Sequence, residues 1–266
     1  MATSYFHPVR KLGKRAQRLD PRTFKLARYL APVLPTPPLE AGYIQKVSVW
    51  PMMLNDSLGD CVIAGAGHCI EQWTTYAGKP VVLTDQQILQ GYEAVGGYVP
   101  GNPSTDQGCD MLTACNYWRQ TGFGGHKILA YVEVDQTNLV EVKQAIYLFG
   151  NLYAGWQLPL TVQSANVWSV STRTGDGTPG SWGGHCAPVV GYNASAAKGG
   201  VTVVTWGGLM PVTWNFLQIY ADELYAVLSQ DWLEANGYAV SGFNLKQLEA
   251  DLQAVQEVPV YSKKAA

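Results

Sequence analysis

The sequence predicts an α+β fold in two lobes, a helical N-terminal lobe and a C-terminal lobe of antiparallel β-sheet. Three observations carry that expectation. Apolar residues recur at helical spacing over 60–76, 84–92 and 109–121, all in the first half of the chain. Runs rich in Val, Tyr and Trp, punctuated by glycine turns, dominate after residue 150. The 266 residues are 47% hydrophobic and 14% charged, which supports a large buried core and excludes a disordered chain.

Residues 1–28 form a basic arm. They hold eight of the eighteen Lys and Arg with Asp20 as their only acid, a net +7 against −9 for the remainder. Such an arm can meet nucleic acid, a membrane surface or its own acidic body. Pro8, Gly13 and Pro21 interrupt it and aromatic interleaving is poor, so the body is preferred and nucleic acid is not expected. Residues 29–40 carry four prolines and read as an extended linker. The divisions are therefore arm and linker 1–40, main domain 41–232 and tail 233–266.

Within the main domain, Val47, Val49 and Trp50 suggest a short extended stretch. A helix runs from about Asp60 to Tyr76 and stops at Gly78-Lys79-Pro80. Thr84 and Gln87 have the spacing of a capping box that opens a second helix. A third covers about Cys109–Thr121. Val132–Val134 reads as a strand, Leu139–Phe149 as a helix and Leu152–Leu158 as a strand. After a Gly/Ser/Thr loop over 171–184, His185–Tyr192, Val201–Trp206 and Tyr225–Leu228 read as strands. Leu245, Leu248, Leu252 and Val255 predict an amphipathic tail helix for docking on the body or for self-association.

No apolar leader opens the chain and no window of about 18 apolar residues exists, so no membrane span is expected and a cytoplasmic or phage-associated protein is. Five cysteines, an odd number, suit free thiols in a reducing compartment. His68-Cys69 and the pair Cys109 and Cys115 lack zinc-ligand spacing, so no metal is expected. Phosphate-loop and serine-elbow motifs are absent, and no cofactor is expected.

Two segments carry chemistry. Asn55-Asp56-Ser57-Leu58-Gly59-Asp60 delivers Cys61 to the first turn of a helix. There the unpaired N–H groups and partial positive charge favour a thiolate. Taken alone, that placement leaves a structural and a catalytic cysteine equally open. The second segment, Gly183-Gly184-His185, sets an imidazole at the start of an apolar strand 124 residues downstream. A distant Cys and His of this kind suits nucleophilic catalysis, although a lone His also commonly satisfies a core strand.

The order of segments resembles the papain-like cysteine peptidases. Asp60-Cys61 opens the helix. Leu83–Ile88 precedes the next one, and Gly108-Cys109 leads into a third. Val142–Ile146 with Gly150 and Leu152–Ala154 precede Gly184-His185 and Gly191-Tyr192. Thr205-Trp206-Gly207 stands where the family has Asn-Ser-Trp-Gly. Asp60-Cys61 with Ala64 and Tyr76-Ala77-Gly78 also resembles the bacteriocin-leader peptidases of the same clan. The resemblance implies a papain-like fold in a bacterial or phage protein. It also implies Cys61 as nucleophile, His185 as base and Asn55 at the position of the oxyanion-hole Gln, with a peptide or amide substrate. Thr205 would orient the imidazole and Trp206 would shield it, while Asp60, Trp182 and Gly184 would line the cleft. Val204 replaces the family's orienting Asn, Val62 its Trp, and Leu58 a disulfide half-cystine. The expected function is a cysteine peptidase or amidase; the alternative is a catalytically silent papain-like domain with a binding or structural role. In zymogens of this family an N-terminal extension covers the cleft, and the resemblance implies that the positive arm could do so against the acidic body.

Overall fold

The computed structural model describes residues 10–30, 36–194, 199–235 and a few positions between 244 and 250. The tail helix expected over 244–256 lies almost wholly outside them, as do residues 1–9.

Three helices build the first lobe. The central one, α1 (Cys61–Tyr76), buries every residue from Cys61 to Thr74. Its small residues permit that. At Gly65 a Cβ would lie 2.8 Å from Cys186 Sγ and 3.3 Å from Pro188, so only glycine lets the sheet lobe approach this closely. Helix α2 (Asp85–Gly96) opens on the predicted capping box. Gln87 N donates to Thr84 Oγ1 at 3.3 Å and Thr84 N to Gln87 Oε1 at 2.9 Å. Helix α3 (Met111–Gln120) is capped by Asp110, which accepts from Thr113 N at 2.8 Å.

The second lobe holds two four-stranded antiparallel sheets. Strands β2 (Ile128–Glu133), β8 (Ala221–Ser229), β3 (Tyr153–Leu158) and β4 (Gly183–Cys186) form one, in that spatial order. Strands β1 (Glu40–Gly42), β5 (Val189–Asn193), β6 (Gly200–Thr205) and β7 (Gly208–Thr213) form the other. Helix α4 (Leu139–Phe149), with the bounds the sequence predicts, packs on β5 and β8. Trp156, Trp168, Phe216 and Leu224 lie in the core of this lobe. Short helix α6 (Gln230–Ala235) follows β8.

Several expectations change. His185–Tyr192 is not one strand. It divides into β4 and β5, which belong to different sheets, because Pro188 has no N–H to donate to a ladder. The chain therefore turns a corner directly after Cys186, one residue past His185. Residues 214–220 form a helix, α5 (Trp214–Tyr220), capped by Thr213, and β7 was not anticipated. Among the described residues no helix is long and apolar enough to cross a membrane.

Candidate active site

Cys61 is the first residue of α1, delivered by a tight turn in which Met53 and Leu54 both have positive φ, 53° and 65°. Backbone bonds from Ser57 N and Leu58 N to Leu54 O hold that turn. The sulfur accepts a hydrogen bond from Cys186 N at 3.3 Å. Cys186 directly follows His185 on β4, so the thiol sits against the histidine strand at the corner made by Pro188. Sequence positions 125 residues apart meet here because Gly65 lets that corner rest on α1.

His185 is fixed from two directions. Its Nε2 lies 2.6 Å from Thr205 Oγ1, at the end of β6. The Trp206 indole stacks on the ring, with centroids 4.2 Å apart and planes 10° from parallel. Trp206 and Gly207 form the two-residue turn from β6 to β7, with φ of 46° and 73°. Positive φ is costly for an aromatic residue. The stack and a bond from Trp206 Nε1 to Lys11 O, 3.0 Å, hold it in place. Trp182 lies beside Trp206, with centroids 5.6 Å apart. Buried Nδ1 of His185 has no hydrogen-bond partner among the described residues. With the proton on Nε2 and donated to Thr205, Nδ1 presents a lone pair.

Asn55 and Asp60 turn toward each other. Asn55 Nδ2 donates to Asp60 Oδ1 at 3.3 Å and to Leu58 O at 3.5 Å, which shapes the turn before the cysteine. Burial pushes the Asp60 carboxyl well above its ordinary range, with the Asn55 bond opposing. His68, deeper along α1, bonds Pro51 O at 2.8 Å through Nε2. Burial lowers its pKa to about 4.

The groove over this pair is filled by the chain's own arm. Lys11 N donates to Asn55 O at 3.2 Å, Cys109 N to Gly13 O at 2.9 Å, and Arg15 N to Cys109 O at 3.0 Å. On the facing lobe Lys14 N donates to Gly184 O at 3.1 Å. Residues 10–15 thus run as an extra extended segment between the lobes. The Arg10 guanidinium lies 5.0 Å over Trp206. At Gly13 a Cβ would lie 1.8 Å from Gly59 O, so the arm touches the helical lobe backbone to backbone. Ion pairs tie other arm residues to the acidic body, Lys11 to Asp106 at 3.6 Å and Arg18 to Asp110 at 3.6 Å. Lys25 pairs with Glu133.

This cover reverses the expected electrostatics of the pair. The helix N-terminus predicts a lowered thiol pKa. In the covered groove burial drives Cys61 up to about 12, opposed in part by the Cys186 N–H. Burial likewise lowers His185 to about 3, helped by the charge of Arg10. The closed state therefore holds a neutral thiol and a neutral imidazole.

Sequence reasoning missed the residues that seat the arm: Gly13, Lys14, Asp222 and Glu223. One signal was available. Asp222-Glu223 is an acidic doublet that opens an otherwise apolar strand.

No protein-family model matches the chain, and no curated protein matches its sequence. Solved structures do match. Xylellain, a cysteine protease from Xylella fastidiosa, aligns with a TM-score of 0.61 over 83% of this chain and 97% of its own, at 13% identity. Procathepsin B S9 from Trypanosoma congolense aligns at 0.55 over 83% and 87%, at 15% identity. The cysteine protease and lectin-like domains of Cwp84 from Clostridium difficile align at 0.54 over 76% of this chain and 57% of that one, at 13% identity. At these identities the likeness is one of fold, and the fold is the papain-like α+β architecture.

Proposed function

We propose that this chain is a cysteine hydrolase of peptide or other amide bonds, with Cys61 as nucleophile and His185 as base, held closed by residues 10–15. One observation carries the reading. The amide beside His185 donates to the Cys61 sulfur, while one imidazole nitrogen is bonded to Thr205 and the other is buried without a partner. The thiol thus lies against the backbone of the histidine strand, and the imidazole is stacked under an indole, in the groove between two lobes.

The chemistry follows once the arm withdraws. The thiol proton passes to His185 Nδ1, and the Nε2–H stays on Thr205. Sγ attacks the acyl carbon, and the oxygen takes the charge at the N-terminus of α1, with the Cys61 backbone N–H as donor. The imidazolium returns its proton to the amine as the C–N bond breaks, leaving a thioester. A water that loses its proton to His185 then cleaves the thioester and restores the thiol. Thr205 takes the orienting role that Val204 cannot fill, and Asn55 spends its amide on Asp60 and Leu58, shaping the turn rather than donating to the oxyanion.

The silent-domain alternative draws on the same burial, because a permanently seated arm would leave the pair inert. Opening the groove separates the two. In Gly13→Val, iodoacetamide near pH 6 should alkylate Cys61 at least tenfold faster than Cys69 or Cys115, and a fluorogenic peptide should turn over. Labelling no faster than at those two core cysteines, in a folded variant, overturns the hydrolase.

A further inference from the structure

The arm does more than cover the groove: it places one side chain in a built pocket. The Lys14 side chain is fully buried, with Nζ 2.8 Å from Asp222 Oδ2, 2.9 Å from Glu223 Oε1 and 3.1 Å from Arg15 O. The ammonium donates to Asp222 Oδ2 and Arg15 O, and Glu223 Oε1 faces it as an ion-pair partner. The aliphatic stem needs Gly155, where a Cβ would lie 2.3 Å from Lys14 Cε and 2.8 Å from Met111 Sδ. Both carboxylates are held by residues outside the arm. Gln157 Nε2 donates to Asp222 Oδ2 at 2.6 Å, and Tyr225 OH to Glu223 Oε2 at 3.0 Å. The pocket thus belongs to the body, not to the arm that fills it.

We infer that the cavity filled by Lys14 is the selectivity pocket of the groove, and that it takes a lysine or arginine side chain of an extended peptide, next to the residue lying over Cys61. Gly13 is that covering residue here, and its N–H faces the Cys61 sulfur. Lys14 makes the main-chain bond to Gly184 that fixes which side chain points into the pocket. Under the seated arm Glu223 is 1% exposed; with the arm withdrawn, two adjacent carboxylates remain. A cationic side chain neutralises them. An apolar one leaves a buried charge unpaired, and an acidic one adds a third charge.

The inference rests on reading this groove as a substrate groove, and its test separates the two ideas. The protein is the full chain carrying Gly13→Val, with Gly13→Ala as a second opened form. The probe is the acetylated, amidated peptide of residues 10–18, compared with its Lys14→Met and Lys14→Glu forms. Binding is read by anisotropy of the fluorescein-labelled peptide and by protection of Cys61 from iodoacetamide. Lys14→Met should bind at least tenfold more weakly and Lys14→Glu at least a hundredfold, and Glu223→Gln in the protein should shrink both differences. Turnover of fluorogenic peptides with Lys, Leu or Glu at this position should follow the same order. Equal binding of the Lys and Met peptides overturns the pocket, whether or not Cys61 proves catalytic. Selective binding by a protein whose Cys61 is inert upholds the pocket and removes the hydrolase.

Discussion

Replacing Gly13 by valine tests how the closed state is maintained. A Cβ at this position would meet Gly59 O at 1.8 Å, its carbonyl carbon at 2.3 Å and its Cα at 2.6 Å. All three are backbone atoms, and Gly59 N is itself anchored on Asp106 Oδ1 at 2.9 Å, so the wall cannot yield. The arm must leave. It forfeits the bonds Lys11 N to Asn55 O, Cys109 N to Gly13 O, Lys14 N to Gly184 O, Arg15 N to Cys109 O and Trp206 Nε1 to Lys11 O. At about 0.5–1.5 kcal/mol each, these five sum to about 2.5–7.5 kcal/mol, apart from the Lys14 ion pair. Water then reaches the sulfur. A thiol held at about 12 is about 10⁻⁵ ionised at pH 7, and one at its ordinary 9.0 about 10⁻². Alkylation of Cys61 should therefore rise on the order of a thousandfold, and further if the helix N-terminus acts as its position suggests. Peptide mass spectrometry after timed iodoacetamide exposure reads this, with Cys69 and Cys115 as unchanged references. A folded variant whose Cys61 reacts within threefold of the parent rate would refute the argument that the arm, and nothing else, suppresses the thiolate.

Three further outcomes follow from the same geometry. Thr205→Val leaves the imidazole Nε2 buried without its partner at 2.6 Å; it should cost about 1–3 kcal/mol in urea unfolding, while Thr205→Ser retains most of it, and an unchanged midpoint for the valine form would deny the bond. Gly65→Ala drives a methyl to 2.8 Å from Cys186 Sγ and should destabilise by about 1–3 kcal/mol while displacing the amide from Cys61, read as a changed Cys61 labelling rate in the Gly13→Val background. His68 has its pKa lowered by burial to about 4 from 6.5, so the unfolded chain takes up its proton first as pH falls. Its stabilising contribution is complete above pH 6.5 and is lost on descending toward 4. The parent should therefore lose up to about 1.4 kcal/mol per pH unit relative to His68→Gln across that window, and parallel stability curves would contradict it.

Local chemistry explains what could be read early. The bounds of α4, the start of α1 at Cys61 and the box at Thr84 and Gln87 all follow from periodicity and from side chains bonding their own backbone within one turn. The strand over Val201–Thr205 was legible as well, but Trp206 was read as part of it, and neither the turn at Trp206-Gly207 nor the return strand β7 was. Where the hydrogen-bond partner lies far along the chain, the sequence is silent. Pro188 could be seen, but not that it sends β4 and β5 into different sheets and sets His185 at the corner.

By itself, then, the sequence determined an α+β chain in two lobes, with one cysteine at a helix start, one histidine at a strand start and a basic arm. Only the tertiary structure decided that Cys186 N–H meets the Cys61 sulfur, and that Lys14 finds Asp222 and Glu223 more than two hundred residues away. It also set the sign of the electrostatics. A helix N-terminus acts on its own first turn and can be read from order alone. Exclusion of water from a sulfur depends on what else packs over it, and here that is a segment whose place no local pattern encodes.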